Sequence, residues 1–145
     1  MFLLSVPAGK TLHVRAFALL ALALAAVVLA GCGTAGREDD IRAVAGRFAT
    51  AAAQRDGSAA CALLTTDARQ KLESDEGKPC RDAVVGLKVT DPPVRHVEVF
   101  VTSASARLAG GGTLFLDQTT HGWRISSAAC EPTPGGLPYD CELEV

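Results

Sequence analysis

The chain has 145 residues, 48% of them apolar, a length that suits one domain. The apolar residues are unevenly spread, with 23 in residues 1–31 and 47 in the remaining 114. That remainder holds 12 basic and 16 acidic residues, a formal charge of −4 with no basic run, so it lacks the electrostatic footprint of a nucleic-acid binder.

Lys10 and Arg15 precede an uninterrupted apolar run from Ala16 to Ala30. At 15 residues the run is shorter than the ~20 needed to cross a bilayer, and it has the length of a secretory hydrophobic region. Residues 1–31 therefore read as an export signal. The segment ends in Leu29-Ala30-Gly31-Cys32, which resembles the lipobox of bacterial lipoproteins, where small residues precede a cysteine that becomes the new N-terminus. The resemblance implies a lipid on the Cys32 sulfur that holds the protein on the extracytoplasmic face of the cell membrane. The alternative is an ordinary cleaved signal that leaves Cys32 as a free thiol. Phe2, Leu3 and Leu4 stand ahead of the basic residues, and a start near Val14 would give a shorter, more regular signal.

Residues 33–39 are small and polar, with no apolar periodicity, and no structure is assigned to them. The expected organisation is a signal over residues 1–31, a lipidated flexible tether over 32–37 and a domain over 38–145. Beyond Cys32 the cysteines are Cys61, Cys80, Cys130 and Cys141, an even number in an exported chain, which favours two disulfides over free thiols. Of the three connectivities, Cys61–Cys80 with Cys130–Cys141 is preferred because each pair closes a local loop. Each bridge would contribute about 3 kcal/mol on the chain-entropy estimate. No CxxC is present, and His96 and His121 stand alone, so no metal site is expected.

From Asp40, the positions Ile41, Val44, Ala45, Phe48 and Ala52 recur at helical spacing, which predicts an amphipathic helix that stops at Asp56-Gly57. Ser58 is placed to cap a second helix with Cys61, Leu63 and Leu64, and Thr66 a third with Ala68 and Leu72. Residues 74–79 read as a polar loop. A short helix from Cys80 to Leu87 would bring Cys80 back to Cys61. Asp91-Pro92-Pro93 then blocks helix, and the period changes to 2. Val97, Val99 and Val101 are expected to face the core, followed by Ala104, Ala106 and Leu108 with the parity flipped by a turn or bulge at Thr102-Ser103. Gly110-Gly111-Gly112 makes a reversal, Thr113 to Gln118 a strand, Thr119 to Gly122 a turn, and Trp123-Arg124-Ile125 another strand. The tail from Cys130 to Cys141 is rich in proline and glycine and depends on its disulfide for order.

Helices followed by an antiparallel meander of about four strands make an α+β domain, with the helices packed on a curved sheet. Arg55-Asp56-Gly57 after an amphipathic helix, the Cys61-Ala62-Leu63-Leu64-Thr65 helix and the late Gly122-Trp123-Arg124-Ile125 strand resemble nuclear transport factor 2-like domains of exported actinobacterial lipoproteins. The resemblance covers about residues 38–145 and rests on the order of elements. It implies a cone with a pocket between helices and sheet.

Enzymes of that fold class need buried carboxylates or histidines. The closest set is His96 and Glu98, two apart and so on one strand face, opposite Val97 and Val99 and shared with Phe100. A solvated outer face is the simpler reading of the pair. Asp117 and His121 read as surface groups, and Tyr139 lies in the proline-rich loop. No nucleophile, zinc or phosphate-loop motif is present, and no cofactor is called for. Phe48, Phe115 and Trp123 are expected in the core or, at most, as the wall of an apolar pocket. The expected function is a non-enzymatic, membrane-anchored module that binds an envelope protein or an apolar small molecule. The alternatives are a small isomerase, dehydratase or cyclase using His96 and Glu98, and a structural envelope component.

Overall fold

The computed structural model describes residues 32–90 and 92–145. The export signal read over residues 1–31 lies outside them, as does Asp91. Residues Arg37–Val145 form one compact unit.

Helix α1 (Cys32–Ala53) buries four of the five predicted inward positions, Ile41, Val44, Ala45 and Phe48; the fifth, Ala52, is half-buried, and Ala49 and Ala51 are buried instead. It begins ahead of Asp40, so residues 33–39, to which no structure is assigned from sequence, have helical backbone. No proline interrupts this stretch, and extending an existing helix gains a hydrogen bond per residue without a second nucleation cost. After Ala53 the backbone reverses at Arg55, whose φ of 58° is left-handed. Asp56 then accepts a hydrogen bond from Ala59 N at 3.0 Å and caps α2 (Gly57–Ala62), so the expected cap Ser58 lies inside the helix. Thr65, one residue before the expected Thr66, likewise caps α3 (Thr66–Glu76) through Ala68 N. That helix runs on through residues 74–76, expected in a loop, until Gly77 ends it in the left-handed region.

Helix α4 (Cys80–Ala83) and a 3-10 turn (Val84–Gly86) complete the helical half. The expected Cys61–Cys80 disulfide joins α2 to α4 with a Cα separation of 6.1 Å. The two helices approach so closely at Gly57 that a Cβ there would sit 1.8 Å from the Arg81 carbonyl oxygen.

The second half is one antiparallel sheet in the order β1-β2-β3-β4-β5, five strands where about four were expected. The strands are β1 (Val94–Val99), β2 (Ser103–Leu108), β3 (Thr113–Thr119), β4 (Gly122–Pro132) and β5 (Tyr139–Leu143). The tail from Cys130 to Cys141 is half strand, at residues 130–132 and 139–141 where backbone pairing orders it, and the proline- and glycine-rich residues 133–138 between them are the loop. Cys130 faces Cys141 across β4 and β5, and their disulfide, the second expected one, has a Cα separation of 3.9 Å.

Register irregularities explain which side chains reach the core. In β1 two residues oppose one of β2, since Val94 pairs Leu108 and His96 pairs Arg107. Arg95 is the extra residue, so both Val94 and Val97 are buried although they are not in phase. The expected continuation fails at Val101, which is 85% exposed. The strand has ended by then, and Phe100 N donates to Ser103 O at 2.8 Å to close the β1–β2 turn. This turn accounts for the flipped parity. In β4 the register slips on both sides of Phe115↔Ser127, so the strand carries more residues than β3. Its four consecutive residues Ile125 to Ala128 are all buried, and Ala129 adopts a φ of 53°.

The core is one cluster that includes Phe48, Ile41, Leu114, Leu116, Ile125 and Leu143, all fully buried. Two backbone bonds join the halves: Ile125 N donates to Leu63 O at 2.9 Å, and Thr65 N to Ile125 O at 2.8 Å. Side chains of α1 hold both ends of β1, the sheet's first strand. Arg42 Nη1 donates to Val94 O at 3.0 Å, while Arg37 Nη2 reaches Phe100 O at 3.1 Å and Val101 O at 2.8 Å.

β5 is tied back by Glu142, which accepts from Lys88 N at 2.8 Å and from Lys88 Nζ at 3.0 Å. Partial burial pushes the Glu142 carboxyl up, but the Lys88 backbone bond, the ammonium bond and its charge together outweigh that and hold it below the ordinary carboxylate value.

Gly57→Ala will lower the urea midpoint with an unchanged slope, at a cost of about 1–3 kcal/mol, because the obstacle is backbone rather than a movable side chain. The Glu142 contribution is fully present above the unfolded carboxylate pKa and is lost as pH falls through the lowered folded one. The midpoint of the wild type will therefore fall more steeply than that of Glu142→Gln between about pH 5 and pH 3, and equal slopes would contradict this account.

Candidate functional site

Glu98, Ser105, Phe115 and Ser127 form one row of register partners across β1, β2, β3 and β4. Their neighbours Ala104 and Leu116 point the other way, into the core, so the row lies on the sheet's outer face. The β4–β5 loop is fastened beside it. Thr133 Oγ1 donates to Pro138 O at 2.7 Å, and Gly136 N to Thr133 O at 2.8 Å. Gly135 and Gly136 take φ values of 111° and 93°, a region side-chain-bearing residues rarely adopt, which lets the loop turn so tightly.

Sheet and loop enclose an open groove of about 430 Å³, lined by Glu98, Phe100, Ser105, Phe115, Leu137 and Tyr139. Phe115 and Tyr139 meet edge to face at 5.1 Å and 78° and make its floor. The rim is unusual. Phe100 is 54% and Leu137 75% exposed, and Val101 follows Phe100 in the adjoining turn. Three of the four exposed large hydrophobics among the described residues thus cluster here. An apolar groove with one carboxylate, Glu98, and two hydroxyls, Ser105 and Tyr139, suits an apolar group bearing a small polar handle.

His96 and Glu98 are brought together, with Nε2 3.4 Å from Oε1. Each side chain is 57% exposed, so water surrounds the pair and no wall shields a proton in transit. Glu98 lines the groove, whereas His96 is not among its lining residues. Asp117 lies opposite Ser103 and Arg124 in the sheet, and His121 sits in the β3–β4 turn with Nδ1 2.9 Å from Thr120 Oγ1. Of the three aromatic residues considered as a pocket wall, Phe115 lines the groove. Phe48 and Trp123 are buried in the cluster that fills the space between helices and sheet. Of Cys32 only the helical backbone is described.

Sequence reasoning missed the rim. Phe100 was legible only as sharing a face with Glu98, and Leu137 was one apolar residue in a glycine- and proline-rich loop. The usable signal was the isolation of a large apolar residue at a turn, where no periodic core position explains it. A second trough, about 570 Å³, runs between α1 and α2 past Arg42, Arg47, Thr50 and Gln54, but no exposed large hydrophobic residue lines it. No protein-family model, curated protein or solved structure matches the chain.

Rim and floor will separate in urea denaturation. Phe100→Ser and Leu137→Ser will each cost less than about 0.5 kcal/mol, as surface changes do. Phe115→Ala removes the half-buried floor and will cost about 1–3 kcal/mol.

Proposed function

We propose that this chain is an extracytoplasmic lipoprotein, anchored to the cell membrane through Cys32, whose nuclear transport factor 2-like domain is a binding module and not an enzyme. The observation that carries the binding reading is the outer-face groove with its exposed Phe100 and Leu137 rim. Apolar side chains left in water around a concavity mark a surface used for contact. The ligand is an apolar small molecule or an apolar segment of an envelope protein, oriented by Glu98 or Ser105.

Several features support the setting. The Leu29-Ala30-Gly31-Cys32 segment has the composition of a lipobox, and the two disulfides suit an oxidising compartment. Helices followed by an antiparallel sheet follow the order that the family resemblance implies. The exposed His96–Glu98 pair supplies no enclosed chamber for the isomerase-like alternative.

The test is native mass spectrometry of the protein recovered from the membranes of bacteria that express the full chain, followed by solvent extraction. Lipid mass on a peptide that begins at Cys32, with an apolar compound or a protein co-purifying with wild type and lost in Phe115→Asp, is the expected result. An unlipidated, empty monomer would falsify this reading and leave the structural envelope role.

A further inference from the structure

We propose that the β1–β2 turn, Phe100-Val101-Thr102, is a second membrane contact, dipping its apolar side chains into the headgroup and upper acyl region of the bilayer that holds the chain. The inference rests on the anchoring of Cys32 proposed above. It begins from the most exposed large hydrophobic residue described, Val101 at 85%, beside Phe100 at 54%. These side chains sit on a turn held in one shape. Phe100 N donates to Ser103 O and Gln118 N to Thr102 O, both at 2.8 Å. A fixed turn presents its apolar side chains at little further cost in conformational entropy.

The chain itself identifies the occupant. Arg37 donates to the carbonyls of both Phe100 and Val101. Arg37 follows Cys32 by five residues, a stretch that spans at most about 18 Å in any backbone conformation. A lipid on Cys32 therefore keeps Arg37, and the turn it grips, close to the membrane surface. Interfacial apolar groups sink about 5–10 Å into the boundary between headgroups and acyl chains, a depth that side chains on a turn tip can reach. Charge agrees with this choice. Residues 99–103 carry no ionisable side chain, in a mature chain whose net charge of −4 is repelled by anionic headgroups elsewhere. The guanidinium at the base of the turn is cationic. A water-soluble protein partner would leave the short reach from Cys32 without a role.

The experiment places tryptophan at the tip. Val101→Trp and, as a control, Ala109→Trp are made in the full chain, isolated from membranes and reconstituted into phosphatidylcholine vesicles with or without bromine on the upper acyl chain. Ala109 is exposed and lies at the other end of β2, about 20 Å from the turn. The emission of buried Trp123 is measured in the wild type and subtracted. The expected result is quenching and a blue shift at position 101, and neither at 109. An unquenched tryptophan at 101 overturns the proposal and leaves the turn to a protein partner; equal quenching at both positions overturns it as well. Should mass spectrometry find Cys32 unlipidated, the anchoring reading fails separately. Its free thiol is then coupled to a maleimide lipid, and the same comparison is read.

Discussion

The structure turns on the backbone of Ile125. β4 is longer than its partner β5, which pairs with it only from Ala128 onward, and this would leave the earlier part of β4 as an open edge. The connection between α2 and α3 closes it, through Leu63 O and Thr65 N on the amide and carbonyl of Ile125. Buried peptide groups without partners are costly, so the edge of a sheet must be covered or paired. One short parallel bridge does both here and fixes the helical half against the sheet. The side chain of the same residue is fully buried and joins Leu116, its partner in β3, in the core.

With only 25 apolar side chains larger than alanine and cysteine in residues 32–145, little bulk is available to fill the interior. Alanines of α1 and β2 are buried in the same cluster as Phe48 and Trp123, so these two aromatic rings serve as core rather than as the wall of a pocket. Space for a ligand appears on the opposite face of the sheet. The bulged β4 and the fastened proline-rich loop bring Tyr139 onto Phe115, and the groove forms where a plain meander would have been flat.

Helix periodicity was legible because the α1 stripe, Ile41 to Phe48, faces one core at one spacing. The disulfide pairs were legible from loop locality. Cap positions were off by one or two residues, since Asp56 and Ser58, or Thr65 and Thr66, are chemically equivalent candidates until the backbone entering the helix chooses. The bulges were not legible. An extra residue in a strand leaves no compositional mark, so Val101 looked like the next inward valine and Val94 did not look inward at all. β5 was hidden for a related reason: its order comes from pairing with β4, a long-range property that proline and glycine counts cannot express. The groove inherits both omissions, because its rim sits on a turn and a loop defined by where strands stop.

The two cross-links each remain within one half of the molecule, closing separations of 19 and 11 residues. Neither ties helices to sheet. Short loops close at a lower entropic cost than long ones, so oxidation of an unfolded chain encounters these partners first, and a mispaired bridge between the halves has the larger penalty to meet. Each half therefore keeps its cross-link when the contact between them loosens. A fluctuation that opened the two bonds at Ile125 would therefore stretch neither cross-link, because no covalent bond between side chains crosses that seam among the described residues.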